Sequence, residues 1–213
     1  MANTSLAPTI DTLDSLFADF NVHFFEGELE KPVITASPTS RGTCLGWFTC
    51  WRAWKEGSEA GYYELNVCAD HLNRPFESIC KTLLHEMVHL YNHQFGIRDC
   101  SRSGTYHNKR FKEAAEAHGL RCERDKTYGW TITFLTDATF AWMQATYGSS
   151  PNAFPMYRSR TGNPDTEDGI TNSDPSSSNS RRYVCPCGVI IRATRDVYVI
   201  CGECGMRFLE SRG

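Results

Sequence analysis

No stretch of this chain offers the ~20 consecutive apolar residues that a membrane-spanning helix needs, so no membrane association is expected. Its opening residues, MANTSLAPTIDTLDSLFADF, have no basic n-region, and aspartates interrupt their apolar positions; a secretory leader is not expected. Excess positive charge is also missing. Lys and Arg number 22 against 25 Asp and Glu, a formal net charge of -3, which excludes wholesale coating of nucleic acid and leaves only a local basic patch open. There is no internal repeat. What is present, 213 residues of which 40% are hydrophobic and 22% charged, suits a soluble protein with one medium domain and a small appendage.

Cysteine is abundant, at ten residues, but without an export signal these do not read as a disulfide scaffold. Cys44, Cys50, Cys68, Cys80, Cys100 and Cys122 occur singly and are expected to be small buried hydrophobes. Cys185, Cys187, Cys201 and Cys204 cluster near the end, a usage typical of metal binding. An intracellular, reducing location is expected: cytoplasmic, or nuclear in a eukaryote.

Composition divides the chain into a domain over 1–147, a flexible linker over 148–180 and a terminal module over 181–213. The linker reading rests on GSSPNAFPMYRSRTGNPDTEDGITNSDPSSSNS, whose apolar residues are too sparse to offset the entropy of ordering it. In the first domain, Leu13, Leu16, Phe17 and Phe20 recur at helical spacing. Three β-prone runs follow, PVITAS, TCLGWFTCW and YYELNVC. Pro75 suits the first turn of a helix that Gly96 ends. A second helix is expected from about Asn108 to His118, then a strand over GWTITFL and a closing helix over DATFAWMQATY. The fold class is α+β, with a small antiparallel sheet.

The first of those helices carries KTLLHEMVHLYNHQFG, with His85, His89 and His93 on one side and Ile79, Leu83, Met87 and Leu90 on the other. HEMVH fits His-Glu-x-x-His. Two histidines one turn apart aim their imidazoles at one point, and Glu86 beside the first can reach a water on a bound zinc. His93 lies about 12 Å along the axis from His85 and cannot share a ~2 Å coordination sphere with it. A catalytic zinc takes a third protein ligand and leaves a position open. The candidates are His107, His118, Glu113 and Glu116. His107 is favoured, because a Gly-containing turn before the next helix can fold it back over the first, whereas His118 suits a cation at a helix C-terminus. Such a site supports hydrolysis: zinc acidifies its water to a pKa of about 7, and Glu86 moves the proton to the leaving amine.

LFADFNVHFFEGELEKPVITASP, YYELNV, LLHEMVHLYNH and GTYHNKRF together resemble the SprT-like metalloprotease family, which includes Spartan-type DNA-dependent proteases. Gly104, His107 and Phe111 match its Gly-x-x-His-x-x-x-Phe element. The resemblance implies a zincin-like domain with His85, His89 and His107 as ligands of the catalytic zinc and Glu86 as the catalytic carboxylate. It further implies an endopeptidase whose substrates are DNA-bound or DNA-crosslinked proteins and whose activator is DNA, single-stranded or with single-stranded features; a monomer is expected. Two alternatives stay open: a zinc-stabilised nucleic-acid-binding adaptor without peptidase activity, and a zinc peptidase indifferent to DNA. An intact Glu86 speaks against the adaptor.

In the terminal module, YVCPCGVIIRATRDVYVICGECGMRFLE places Cys185 and Cys187 in one turn and Cys201 and Cys204 in another, around a β-rich stretch. Four thiolates on two knuckles suit a structural zinc ribbon, although the first knuckle is one residue shorter than Cys-x-x-Cys. Arg181, Arg182, Arg192, Arg195 and Arg207 make the module locally basic, a surface open to phosphate contact or to plain solvation; together with the SprT-like resemblance it implies nucleic-acid binding there. In GWFTCWRAWKEG, Trp47 and Trp51 are expected in the core, while Trp54 is left open between packing and base stacking.

Overall fold

A computed structural model of the chain describes residues 5–39, 44–57, 60–102, 104–148, 153–159, 181–193 and 196–211. It divides into two compact units, Met1–Gly162 and Asn163–Gly213. No helix among the described residues is long and apolar enough to cross a membrane.

The first unit is built on two long helices. Helix α1 (Ala7–Phe25) starts with Pro8 in its first turn and buries Leu13, Leu16, Phe17 and Phe20 on one face. Helix α2 (Phe76–Gln94) follows Pro75 and buries Ile79, Cys80, Leu83, Leu84, Met87, Val88 and Leu90 completely. Each such side chain contributes about 1.5–3 kcal/mol of transfer free energy, so the pair forms the centre of the core. Helix α2 ends where Gly96 adopts a φ of 68° and its N–H returns to the His93 carbonyl, 3.2 Å away.

Two small sheets flank α2. In the first, β1 (Val33–Thr35) runs parallel to β3 (Glu64–Val67), and β2 (Gly46–Phe48) lies antiparallel on the other side of β3, leaving β2 at an edge. In the second, β4 (Cys100–Ser101), β5 (Tyr106–His107), β7 (Gly129–Leu135) and β6 (Leu120–Asp125) lie in that order, with β5 parallel to β7 and the other pairs antiparallel, so the domain has two mixed sheets in place of the one antiparallel sheet expected. Strand β6 has no counterpart in the expectations above. Its Leu120 and Cys122 turn inward while Arg121 and Glu123 face solvent, an alternation that two charged pairs obscure. Helix α3 (Lys109–Ala117) is capped by the Asn108 side chain, which accepts from the N–H groups of Arg110 and Phe111. Helix α4 (Asp137–Tyr147) begins at Thr136, which caps the Thr139 N–H. The architecture is mixed α+β, with four α-helices among the described residues.

Most of the stretch read as linker, including 160–180, lies outside the described residues. Residues 153–159 belong to the first unit and pack within it: the Phe154 ring stacks on Phe76, and Arg158 reaches Asp70 at 2.8 Å. The second unit contains a three-stranded antiparallel sheet, β8 (Arg181–Val184) between β9 (Ile190–Ala193) and β10 (Leu209–Ser211).

Candidate metal centre

Helix α2 sets His85 and His89 one turn apart, and β5 carries His107 over them. The Nε2 atom of His107 lies 3.3 Å from His85 Nε2 and 3.1 Å from His89 Nε2. A tetrahedral ion bound ~2.05 Å from each nitrogen would space its ligands by about 3.3 Å, so the three rings fit one zinc. The Phe111 ring packs against all three imidazoles at 4.6–4.7 Å between centroids, which gives the Phe of the sequence element a physical task. Strand β5 is drawn close by Gly129 on β7: with φ at 75°, a Cβ there would sit 2.1 Å from the His107 carbonyl oxygen.

The outward nitrogens hold the rings in place. His89 Nδ1 donates to Asp99 Oδ2 at 2.6 Å, and His85 Nδ1 lies 3.2 Å from the Thr133 hydroxyl. The Asp99 carboxylate leaves Nε2 of His89 as the acceptor turned inward, as metal ligation requires, whereas His107 Nδ1 is buried without a hydrogen-bond partner among the described residues. Burial holds His85 well below the usual histidine range, with its two neighbouring imidazoles adding to the effect. Burial likewise depresses His107, to about 4, again with help from His89. Burial acts on His89 in the same direction, but the Asp99 hydrogen bond and the carboxylates of Glu86 and Asp99 reverse it, and the result is a raised value. Asp99 is itself opposed by burial and held low by hydrogen bonds from His89, Asn92 and Cys100.

Glu86 is buried at 7% exposure beside the cluster, and burial raises its carboxyl to about 7. It faces the edge strand at Gly46, where a Cβ would meet the Asn66 carbonyl at 2.8 Å, Thr82 Cγ2 at 3.0 Å and Glu86 Cγ at 3.2 Å. Only a glycine lets β2 lie this close to the carboxylate. The centre opens on a cavity of about 760 Å3 running along α2 between β2 and β7, lined among others by Lys81, Trp47, Phe48, His93 and Ile132.

Other expected positions fall elsewhere. His93 is in the cleft wall, against Phe48 and Tyr63, and outside the cluster. His118 stacks on Phe25 at 4.4 Å and gives Nδ1–H to the Ala114 carbonyl; burial lowers its pKa, so it is a packed neutral ring rather than a helix-end cation. Glu113 and Glu116 are exposed on α3. Trp51 is 63% exposed rather than in the core, because it lies past the end of β2; Trp54 is 45% exposed and Trp47 half-buried. Of the six scattered cysteines, Cys68, Cys80 and Cys122 are buried, Cys44 and Cys100 are half-buried in the cleft wall, and Cys50 is exposed. Asp99 and Thr133 were missed from sequence. Asp99 has the signal of an acid in the loop just after the helix; Thr133 has none.

A family model, the SprT-like family, matches residues 13–126. The chain belongs to the SprT-like family. No curated protein and no solved structure gives a match. The SprT-like match includes all three clustered histidines, Glu86 and Asp99, and ends before Thr133 and the second unit.

In that second unit, this SprT-like chain brings Cys185, Cys187, Cys201 and Cys204 together. Their sulfurs lie within 4.8 Å of one another, a group that could hold a metal ion. The short first knuckle closes through Gly188 N–H to the Cys185 carbonyl at 2.8 Å, and the second through Gly205 N–H to the Cys201 carbonyl at 2.9 Å. Around them, Arg182 and Arg192 stand directly opposite each other on β8 and β9, and Arg207 lies over the exposed Tyr198 ring. Arg181 lies within 4.0 Å of Asp196 and of Glu210. Arg195 is outside the described residues.

Proposed function

We propose that the chain is a zinc-dependent endopeptidase with a zincin-like domain, in which His85, His89 and His107 hold the catalytic zinc and Glu86 is the catalytic base. The observation that carries the reading is the convergence of three imidazole Nε2 atoms beside a buried carboxylate, inside a cleft along an edge strand. Zinc held there would supply Lewis-acid polarisation and an acidified water. Glu86, buried beside the three imidazoles with its carboxyl raised by that burial, would be the group placed to take up and hand on a proton during hydrolysis. Asp99 and Thr133 orient the imidazoles, so that little reorganisation is needed as charge develops.

In the same reading Cys185, Cys187, Cys201 and Cys204 hold a structural zinc, making the second unit a zinc ribbon, and that ribbon contacts DNA. Two features support the contact. Arg182 and Arg192 face one another across the sheet, an arrangement that repels unless an anion lies between them. Tyr198 is 71% exposed under the Arg207 guanidinium, a surface suited to stacking an unpaired base. The substrates are then proteins bound or crosslinked to DNA, and DNA is the activator.

The deciding experiment compares zinc-loaded protein with Glu86→Gln in self-cleavage and histone cleavage, without DNA, with single-stranded DNA and with duplex. Cleavage requiring both Glu86 and DNA is expected. Cleavage requiring Glu86 alone would leave a zinc peptidase and remove the DNA role. DNA binding with no cleavage under any condition would favour an adaptor.

A further inference from the structure

The cleft contains a cation that nothing in the proposed chemistry uses. Lys81 lies one turn before His85 on the same face of α2 and lines the cavity with it, half-buried. Behind it, Arg74 is also half-buried. The Arg74 guanidinium is spent on neutral acceptors: Nε donates to the His71 carbonyl at 2.8 Å, Nη1 to the Ser78 carbonyl at 3.4 Å, and both Nη atoms to the Thr82 hydroxyl at 3.2 Å. Among the described residues, neither Lys81 nor Arg74 has a carboxylate within ion-pair reach. Glu77, one turn from Lys81 on α2, instead accepts from Gln144 Nε2 at 3.0 Å. Burial and the neighbouring Arg74 both disfavour the charge on Lys81. Two half-buried cations that feel each other's charge, with no carboxylate beside either among the described residues, favour a ligand that supplies the anion.

We propose that Lys81, backed by Arg74, is a specificity-determining residue that receives a carboxylate of the substrate polypeptide, so that cleavage favours an Asp or Glu close to the scissile bond. The proposal rests on the peptidase reading above. One helical turn separates Lys81 from His85, about 6 Å along the axis, and an extended peptide advances ~3.3 Å per residue, which sets the acidic residue about two positions from the bond cut. A side-chain carboxylate is the occupant favoured over a DNA phosphate, because Lys81 lines the same cavity as His85, His89, His107 and Glu86, where the polypeptide must lie.

The test uses the full zinc-loaded chain, with DNA present, and quenched-fluorescence peptides matched except for Glu or Gln at each of the positions flanking the scissile bond. Glu at one position should raise kcat/KM about tenfold over Gln, the scale of one hydrogen bond to a charged group. Lys81→Met should erase that difference, Lys81→Arg should retain it, and Lys81→Glu should turn the preference towards Lys at the same position. Zinc content and helical circular dichroism identify any variant that has not folded, and the Arg variant provides the folded control. Equal cleavage of Glu and Gln peptides by the unmodified protein would overturn the proposal, as would a preference that survives Lys81→Met. A Lys81→Met defect equal for both peptides, and appearing only in DNA stimulation, would assign the site to phosphate and also overturn it. Failure of the unmodified protein to cut any peptide or histone would instead remove the peptidase reading, and this proposal with it.

Discussion

Gly46 shows how a residue without a side chain can matter to a carboxylate. Its absent Cβ is the space occupied by the Asn66 carbonyl, Thr82 and Glu86, so an alanine there must move the edge strand, the helix or Glu86 itself. A displacement of about 1 Å at a reacting group costs on the order of a hundredfold in rate. Gly46→Ala is therefore expected to cut peptide cleavage about a hundredfold while bound zinc stays stoichiometric, because the atoms nearest the added methyl belong to Asn66, Thr82 and Glu86. Parallel zinc analysis and turnover assays check this; a variant of full activity would show that the strand yields instead. Asp99 acts at the same scale by a different route: it fixes the tautomer of His89, a role that no spacing rule on α2 announces.

At the scale of elements, α3 and α1 meet α2 through His118, whose ring lies between Phe25 and Tyr91. Burial lowers its folded pKa below the ordinary histidine value, so the unfolded chain binds more protons in the window between the two. The contribution of the neutral ring is complete above about pH 6.5 and is lost as pH falls below it, towards the depressed folded value. His118→Gln is expected to flatten the decline in Tm of the zinc-loaded protein between about pH 7.5 and about pH 5.5. Thermal melts of the two proteins across that range test it, and parallel curves would mean that the imidazole titrates freely in the fold.

The whole molecule consists of two units with very different resources. The first has a continuous core that includes the inner faces of α1 and α2. The second buries only Tyr183, Cys185, Cys201 and Phe208 among its described residues, and two of those four are thiols of the metal-binding group. A unit so small cannot fold on apolar burial alone. Chelation should therefore unfold the second unit while leaving the first helical: amide signals of residues 181–211 should collapse to random-coil positions and those of α1 and α2 should persist. Persistence of the 181–211 signals in a strong chelator would show that the cysteines need no ion to hold the unit together.

The elements legible in the sequence are those whose own periodicity carries them. The apolar stripe from Leu13 to Phe20 and the His-Glu-x-x-His turn of α2 read directly, because helical spacing and metal geometry are local. His107 is also legible, since a glycine turn and an Asn108 cap lead it back towards α2. Strand β6 was hidden by its charges, and Trp51 reads as core only until the end of β2 is known. Thr133 and Gly46 gain their meaning from partners 48 and 40 residues away, supplied by β7 and by the edge of the first sheet, and Lys81 from the cleft it lines with residues of β2 and β7. The sequence by itself determined the family, the helices and the histidine and cysteine sets, because residue type and spacing along one chain suffice for these. Only the tertiary structure decided which groups orient the imidazoles, how closely a strand approaches Glu86 and where a cation is left without an anion. Those depend on distances between segments far apart in sequence, which spacing along the chain does not encode.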